Sequence, residues 1–147
     1  MKRVIKFLPL ALLVLAAWGA AAQAPRPASL AQQLRASHWQ KRVLLVGAPT
    51  ADQADFLQQQ KLLATVPNQL RERDFVVLAL PYDQFSAADR HYWTQELKQP
   101  LTSFAAVLIG KDGGVKRVET QPLAPADLFG TVDKMPMRRQ EARRTKK

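Results

Sequence analysis

A chain of 147 residues with no cysteine suits one domain, and it excludes thiol-based redox catalysis, disulfide staples and lipid attachment through an N-terminal cysteine. The net charge of +10 is unevenly spread: Lys2, Arg3 and Lys6 stand at the start, seven basic residues against Glu141 fall in residues 134–147, and +1 remains over residues 23–133. A nearly neutral body argues against a nucleic-acid-binding face on the fold.

Residues 1–22 read as a signal peptide. Lys2, Arg3 and Lys6 form a positive n-region, residues 7–18 are almost purely apolar, and Gly19-Ala20-Ala21-Ala22 offers small residues for cleavage before Gln23. The uncharged run of residues 7–22 falls short of the ~20 residues that span a bilayer, which favours a cleaved secretory signal over a permanent anchor. The expected location is periplasmic or secreted. A mature domain of that length buries roughly two thirds of its unfolded surface, enough to hold a core without staples.

Residues 23–37 read as a linker with a short helix, capped by Ser29 and carrying Leu30, Leu34 and Trp39. Residues 42–47 are a continuous apolar run ended by Gly47-Ala48-Pro49, the pattern of a fully buried strand. Asp52 is placed to cap the next helix, with Phe56, Leu63 and Val66 at helical spacing, and Pro67 restarts it for a last turn over residues 68–73. Residues 75–80 form a second buried strand stopped by Pro81. Two such strands joined by a helix predict a parallel βαβ unit. Ser86 and Asp89 mark another helix start, with Tyr92, Trp93 and Leu97 on its apolar side, and residues 104–109 form a third buried strand.

Asp112-Gly113 predicts a hairpin into an alternating edge strand at residues 115–119. The glycines of residues 110–114 read as a turn and not as a phosphate cradle, because no helix start and no lysine followed by Ser or Thr comes after them. Pro125 opens a final helix with Leu128, Phe129 and Val132, and Pro136 is expected to end it. Residues 138–147 lack apolar periodicity and read as a disordered basic tail. The expected architecture is a single α/β domain over residues 38–137, with a four-stranded mixed sheet and helices on both faces. A parallel pair followed by an antiparallel hairpin is the thioredoxin-like topology.

Three segments carry a resemblance to a known family: Lys41-Arg42-Val43-Leu44-Leu45-Val46, Leu108-Ile109-Gly110-Lys111-Asp112-Gly113-Gly114-Val115-Lys116, and Asp133-Lys134-Met135-Pro136-Met137-Arg138, with Arg73-Asp74 in support. Across residues 38–139 the chain resembles domain-of-unknown-function family 4174, which also occurs within sushi-repeat-containing proteins and coiled-coil-domain-containing protein 80. The resemblance implies a divergent thioredoxin/peroxiredoxin-like fold and transfers no catalytic residue. Where a thioredoxin has its C-x-x-C, this chain has Ala48-Pro49-Thr50-Ala51-Asp52, and Ala105 stands at the place of the cis-proline. The peroxiredoxin pattern P-x-x-x-T-x-x-C, set on Pro49, meets Gln53 and Phe56 instead of threonine and cysteine.

Other chemistry finds little support in the residues. The two histidines, His38 and His91, share no ligand spacing, so no metal or other cofactor is expected. Asp52, Asp55, Asp83, Asp89 and Asp112 offer carboxylates, but helix starts and a turn account for several of them, and no nucleophile elbow is present. Trp39, Tyr92 and Trp93 read as core packing before they read as a groove. Met135-Pro136-Met137 reads as the dock of the last helix. Arg138, Arg139, Arg143, Arg144, Lys146 and Lys147 are the candidate contacts to a polyanion such as an anionic membrane surface, and a merely solvated terminus stands beside that reading. The expected function is an exported, non-catalytic module that binds a protein or an envelope component. The alternative is a divergent cysteine-independent oxidoreductase or hydrolase.

Overall fold

The structure, a computed structural model, describes residues 27–145, so the signal peptide expected at residues 1–22 lies outside the described residues, as do Lys146 and Lys147. The sheet has the order β2-β1-β3-β4, with β1 Arg42–Ala48, β2 Phe75–Pro81, β3 Ala105–Ile109 and β4 Val115–Glu119. β1 runs parallel to β2 and antiparallel to β3, and β3 runs antiparallel to β4. This mixed open sheet is consistent with the thioredoxin-like topology expected from the sequence.

The continuous apolar runs end up where such runs must go. Every residue of β1 and of β3 is buried, because helices cover both faces of the sheet. Leu44, Val46, Ala106 and Leu108 point to one face, where they meet Phe56 and Leu63 of α2 Ala54–Ala64 and Leu128, Phe129 and Val132 of α5 Pro125–Asp133. Val43, Leu45, Ala105, Val107 and Ile109 point to the other, against Leu30 of α1 Leu30–Ser37 and against Tyr82, Trp93 and Leu97. Alternation along the strand thus supplies two cores from one sequence run.

Local chemistry sets the helix boundaries. Ser29 caps α1 in a full capping box with Gln32. Pro67 opens α3 Pro67–Glu72, as its fixed φ favours. Ser86 caps α4 Ala87–His91, and a single π turn, Tyr92–Glu96, follows and drives Trp93 into the core. The Trp93 indole N–H donates to the Pro100 carbonyl at 3.0 Å. Gly113 takes φ 79° in the β3–β4 turn, the left-handed conformation for which glycine is suited.

Four expectations need correction. The α2 cap is Gln53, whose side chain accepts from Phe56 N at 2.9 Å; Asp52 instead accepts from the Thr50 hydroxyl at 2.6 Å. Trp39 is outside α1 and 60% exposed, because its left-handed backbone (φ 63°) turns the ring away from the core. Pro136 does not end α5, which stops at Asp133; it opens a further helix, α6 Pro136–Arg144. Residues 138–144 are therefore helical, not a disordered tail, and Arg138 is buried. Charge pairing with the body, absent from any apolar count, holds this segment.

Candidate functional site

The end of the sheet where a thioredoxin-like protein would keep its thiols is closed by aromatic side chains. A Cβ on Gly47 would come within 2.6 Å of the Tyr82 ring and 2.8 Å of the Trp93 ring. Beyond it, Ala48 is buried and Pro49 accepts the Asp83 N–H at 3.3 Å. The buried Tyr82 hydroxyl has no hydrogen-bond partner among the described residues, and the indole N–H that could serve it is committed to Pro100. Burial pushes the Tyr82 phenol far above its ordinary range, so it stays protonated and cannot act as a base at neutral pH. Also at this end, the Thr50 hydroxyl donates to Asp52 at 2.6 Å.

Of the other carboxylates and imidazoles singled out from the sequence, Asp89, Asp112 and His38 have structural tasks. Asp89 accepts from the Leu30 N–H at 2.7 Å and from the Ser86 hydroxyl at 2.8 Å, which ties α1 to α4. Asp112 accepts from Gly114 N at 3.1 Å and pairs with Lys116 at 2.6 Å, closing the hairpin turn. The His38 ring lies 3.0 Å from the Asp112 carbonyl, while His91 ends α4 at the surface. Among the described residues no three His, Asp or Glu side chains come together as metal ligands. A cleft of about 720 Å³ opens between α1, the end of β2 and α4, but Ser29, Ser86 and Asp89, the capping groups on its wall, are already engaged.

The opposite end of the sheet holds the polar chemistry. Arg42, the first residue of β1, is 1% exposed, an unusual place for a guanidinium. Its Nη1 donates to the Arg73 carbonyl at 2.9 Å and to Glu141 Oε2 at 3.1 Å, and its Nη2 donates to Glu141 Oε1 at 3.3 Å. Lys111, just past β3, places its Nζ 2.7 Å from Glu141 Oε1 and 2.8 Å from Asp74 Oδ2. Asp74 also meets Lys41 at 3.5 Å. A second set adjoins: Arg73 clamps Asp133 with hydrogen bonds of 2.9 and 2.8 Å and lies over the Phe129 ring at 4.5 Å. Arg138 joins Asp133 and Glu72.

Backbone geometry sets these groups in place. Asp74 takes φ 53° at the turn into β2, and its carbonyl accepts the Arg42 N–H at 2.9 Å. Trp39 donates its N–H to the Lys111 carbonyl at 2.6 Å. Burial alone would raise the Glu141 carboxyl, but hydrogen bonds from Lys111 and Arg42 outweigh it and hold the group below its ordinary range. Asp74 behaves alike, its burial outweighed chiefly by Lys111. The Arg73 hydrogen bonds lower Asp133. Lys111, in spite of burial, is raised by Asp74 and Glu141. All four shifts favour the charged form, so Glu141, Asp74, Asp133 and Lys111 are not poised for proton transfer at neutral pH.

The polyanion candidates divide. Arg138 is withdrawn from solvent by Glu72 and Asp133, whereas Arg139, Arg143 and Arg144 are exposed on α6 and make no ion pair among the described residues. Lys146 and Lys147 lie outside the described residues. The sequence reading missed Arg42, Lys111 and Glu141 as a set. A charged residue at the head of an otherwise apolar strand run was the one signal available for it.

Fold and site together define a cysteine-free, four-stranded mixed α/β domain whose C-terminal helix is tied to the foot of the sheet by ion pairs. The three sequence segments that carry the family resemblance, and the supporting Arg73-Asp74, meet at that foot. The chain belongs to the family Domain of unknown function (DUF4174), whose model matches residues 33–141. No curated protein matches it.

Proposed function

We propose that the protein is an exported, non-catalytic thioredoxin-like module that binds an envelope component through an anionic surface met by α6. One observation carries the reading: Arg139, Arg143 and Arg144 project from a helix that the fold holds in place, and none is neutralised within the described structure. Three fixed cations on one helix attract an anionic headgroup layer with about 1 kcal/mol each, weakened by salt. The closed aromatic end, with no thiol and a protonated Tyr82, supports a binding role over redox or hydrolytic catalysis. The expected signal in residues 1–22 supports an address outside the cytoplasm.

The test is binding of the purified mature chain to phosphatidylglycerol vesicles at two salt concentrations. Deleting residues 138–147 is the wrong variant, because it also removes the buried Arg138 and Glu141. The triple variant R139Q/R143Q/R144Q leaves the docking pairs intact. Salt-sensitive binding lost in that variant supports the reading. Equal binding by both proteins, or turnover of insulin disulfides or peroxide by the native chain, overturns it.

A further inference from the structure

We propose that Arg42 and Lys111 form a carboxylate-binding site whose resident occupant is Glu141, and that a carboxylate from outside the chain takes the same place when α6 lifts. The geometry is that of a receptor for a planar oxyanion. Two terminal nitrogens of one guanidinium reach the two oxygens of one carboxylate, at 3.1 and 3.3 Å, and the Lys111 ammonium adds a third contact at 2.7 Å. Arg42 Nε is buried and has no partner among the described residues, so the guanidinium still has donor capacity to spare. A cleft of about 180 Å³ adjoins the pair, lined by Arg42, Lys111, Lys116 and the Met135-Pro136-Met137 segment. Its Arg42, Lys111 and Lys116 side belongs to the sheet and its β3–β4 turn and stays when α6 lifts, whereas Pro136 and Met137 open α6 and move with it.

The occupant is held by charge and not by apolar packing. No apolar residue of α6 is buried; Arg138 is its one buried side chain. The helix is fastened by Glu141 to Arg42 and Lys111, and by Arg138 to Glu72 and Asp133. Glu141 is itself 25% exposed, so ions from solvent reach its side of the pair as they do not reach buried apolar surface. Arg42, however, cannot be left alone, because a guanidinium that is 1% exposed and unpaired is strongly unfavourable. With α6 lifted, Lys41 and Lys111 would keep Asp74, while the Arg42 guanidinium would keep the Arg73 carbonyl and lose its one ion-pair partner among the described residues. The foot then demands a replacement anion, and lifting of the helix and entry of the ligand become one event. In the native chain the tethered Glu141 competes at high effective concentration, so a free carboxylate enters only when present in large excess.

Acetate is the probe, and E141A is the vacated site in the full chain. The melting temperature of E141A should rise saturably with acetate at fixed ionic strength and pH 7, while chloride at equal strength gives no comparable rise. The native chain should need at least tenfold more acetate for the same shift. The double variant E141A/K111M should lose most of the response. In saturation-transfer NMR the acetate methyl signal should be attenuated with E141A and not with the native chain. Acetate acting no better than chloride on E141A overturns the proposal, as does an undiminished response in the double variant. If E141A does not fold in chloride, refolded fractions in acetate and in chloride are compared, and equal fractions overturn it.

Discussion

Arg42 and Glu141 stand 99 positions apart in the chain, yet two hydrogen bonds join them, both donated by the guanidinium at the buried start of β1 and accepted by the carboxylate on the last helix. The pair is asymmetric: Arg42 is 1% exposed in its side chain and Glu141 25%. Removing Glu141 therefore strands a buried charge, while removing Arg42 leaves Glu141 with Lys111 and some water. We expect E141Q to cost about 3 kcal/mol and R42M to cost less, by urea denaturation at pH 7. A larger loss for R42M would place the stabilisation in the Arg42 contact to the Arg73 carbonyl rather than in the ion pair.

Acid should loosen this end of the molecule. Glu141, Asp74 and Asp133 all titrate below their ordinary ranges when folded. Their contribution is complete above the unfolded-state values and is lost as pH falls through the folded ones. The melting temperature should hold level from pH 7 to about 5 and then fall below the ordinary carboxylate range of roughly 4. Lys111 acts in the opposite sense: its pKa is raised, so its contribution holds below the ordinary lysine value and disappears only as pH climbs through the folded one. E141Q should flatten part of the acid limb in the same thermal scans.

Two glycines should respond in opposite directions. G47A drives a methyl against Tyr82 and Trp93 at under 3 Å, and overpacking of this kind costs about 1–3 kcal/mol. G130A sits in α5 with nothing within 4 Å of the new Cβ, and a helix-interior Gly→Ala change should gain about 0.5–1 kcal/mol. Chemical denaturation of the two variants separates a filled end of the sheet from an open helix face.

Gln59 is fully buried and serves one backbone residue twice. Its Oε1 accepts from Leu123 N at 2.6 Å, and its Nε2 donates to the Leu123 carbonyl at 3.1 Å. Q59L keeps the volume and orphans both groups, each worth about 1–3 kcal/mol when left unmade in the interior. Faster amide exchange at Leu123, with α1 protection unchanged, is the expected signature.

Export predicts a defined start. If residues 1–22 are removed as a signal, mass spectrometry of the protein recovered outside the cytoplasm should give a chain beginning at Gln23. A full-length mass would favour the anchor instead.

What was legible in the sequence follows from burial. Strand runs such as residues 43–47 and 104–109 announce themselves because both faces are covered and the side chains are apolar, with Arg42 the one charged residue at the head of its run. Asp112-Gly113 marked its turn through glycine's freedom at positive φ. The last helix was illegible for the converse reason. α6 buries no apolar residue, its hold comes from charges that pair with Glu72, Asp133, Arg42 and Lys111, and those partners are fixed only by the tertiary fold. Trp39 was misread because one left-handed backbone residue, invisible to helical spacing, swings the ring outward.

That outward swing equips the protein with an optical gauge. Trp93 sits in a dry interior at 0% exposure, while Trp39 stands in water beside His38 with its amide clasped to Lys111. In the mature chain, which the expected cleavage leaves without Trp18, iodide should darken the red-shifted emission of the exposed indole and spare the blue-shifted emission of the enclosed one. Any event that disturbs the Lys111 corner can then be followed in unlabelled protein, by the colour of its own light.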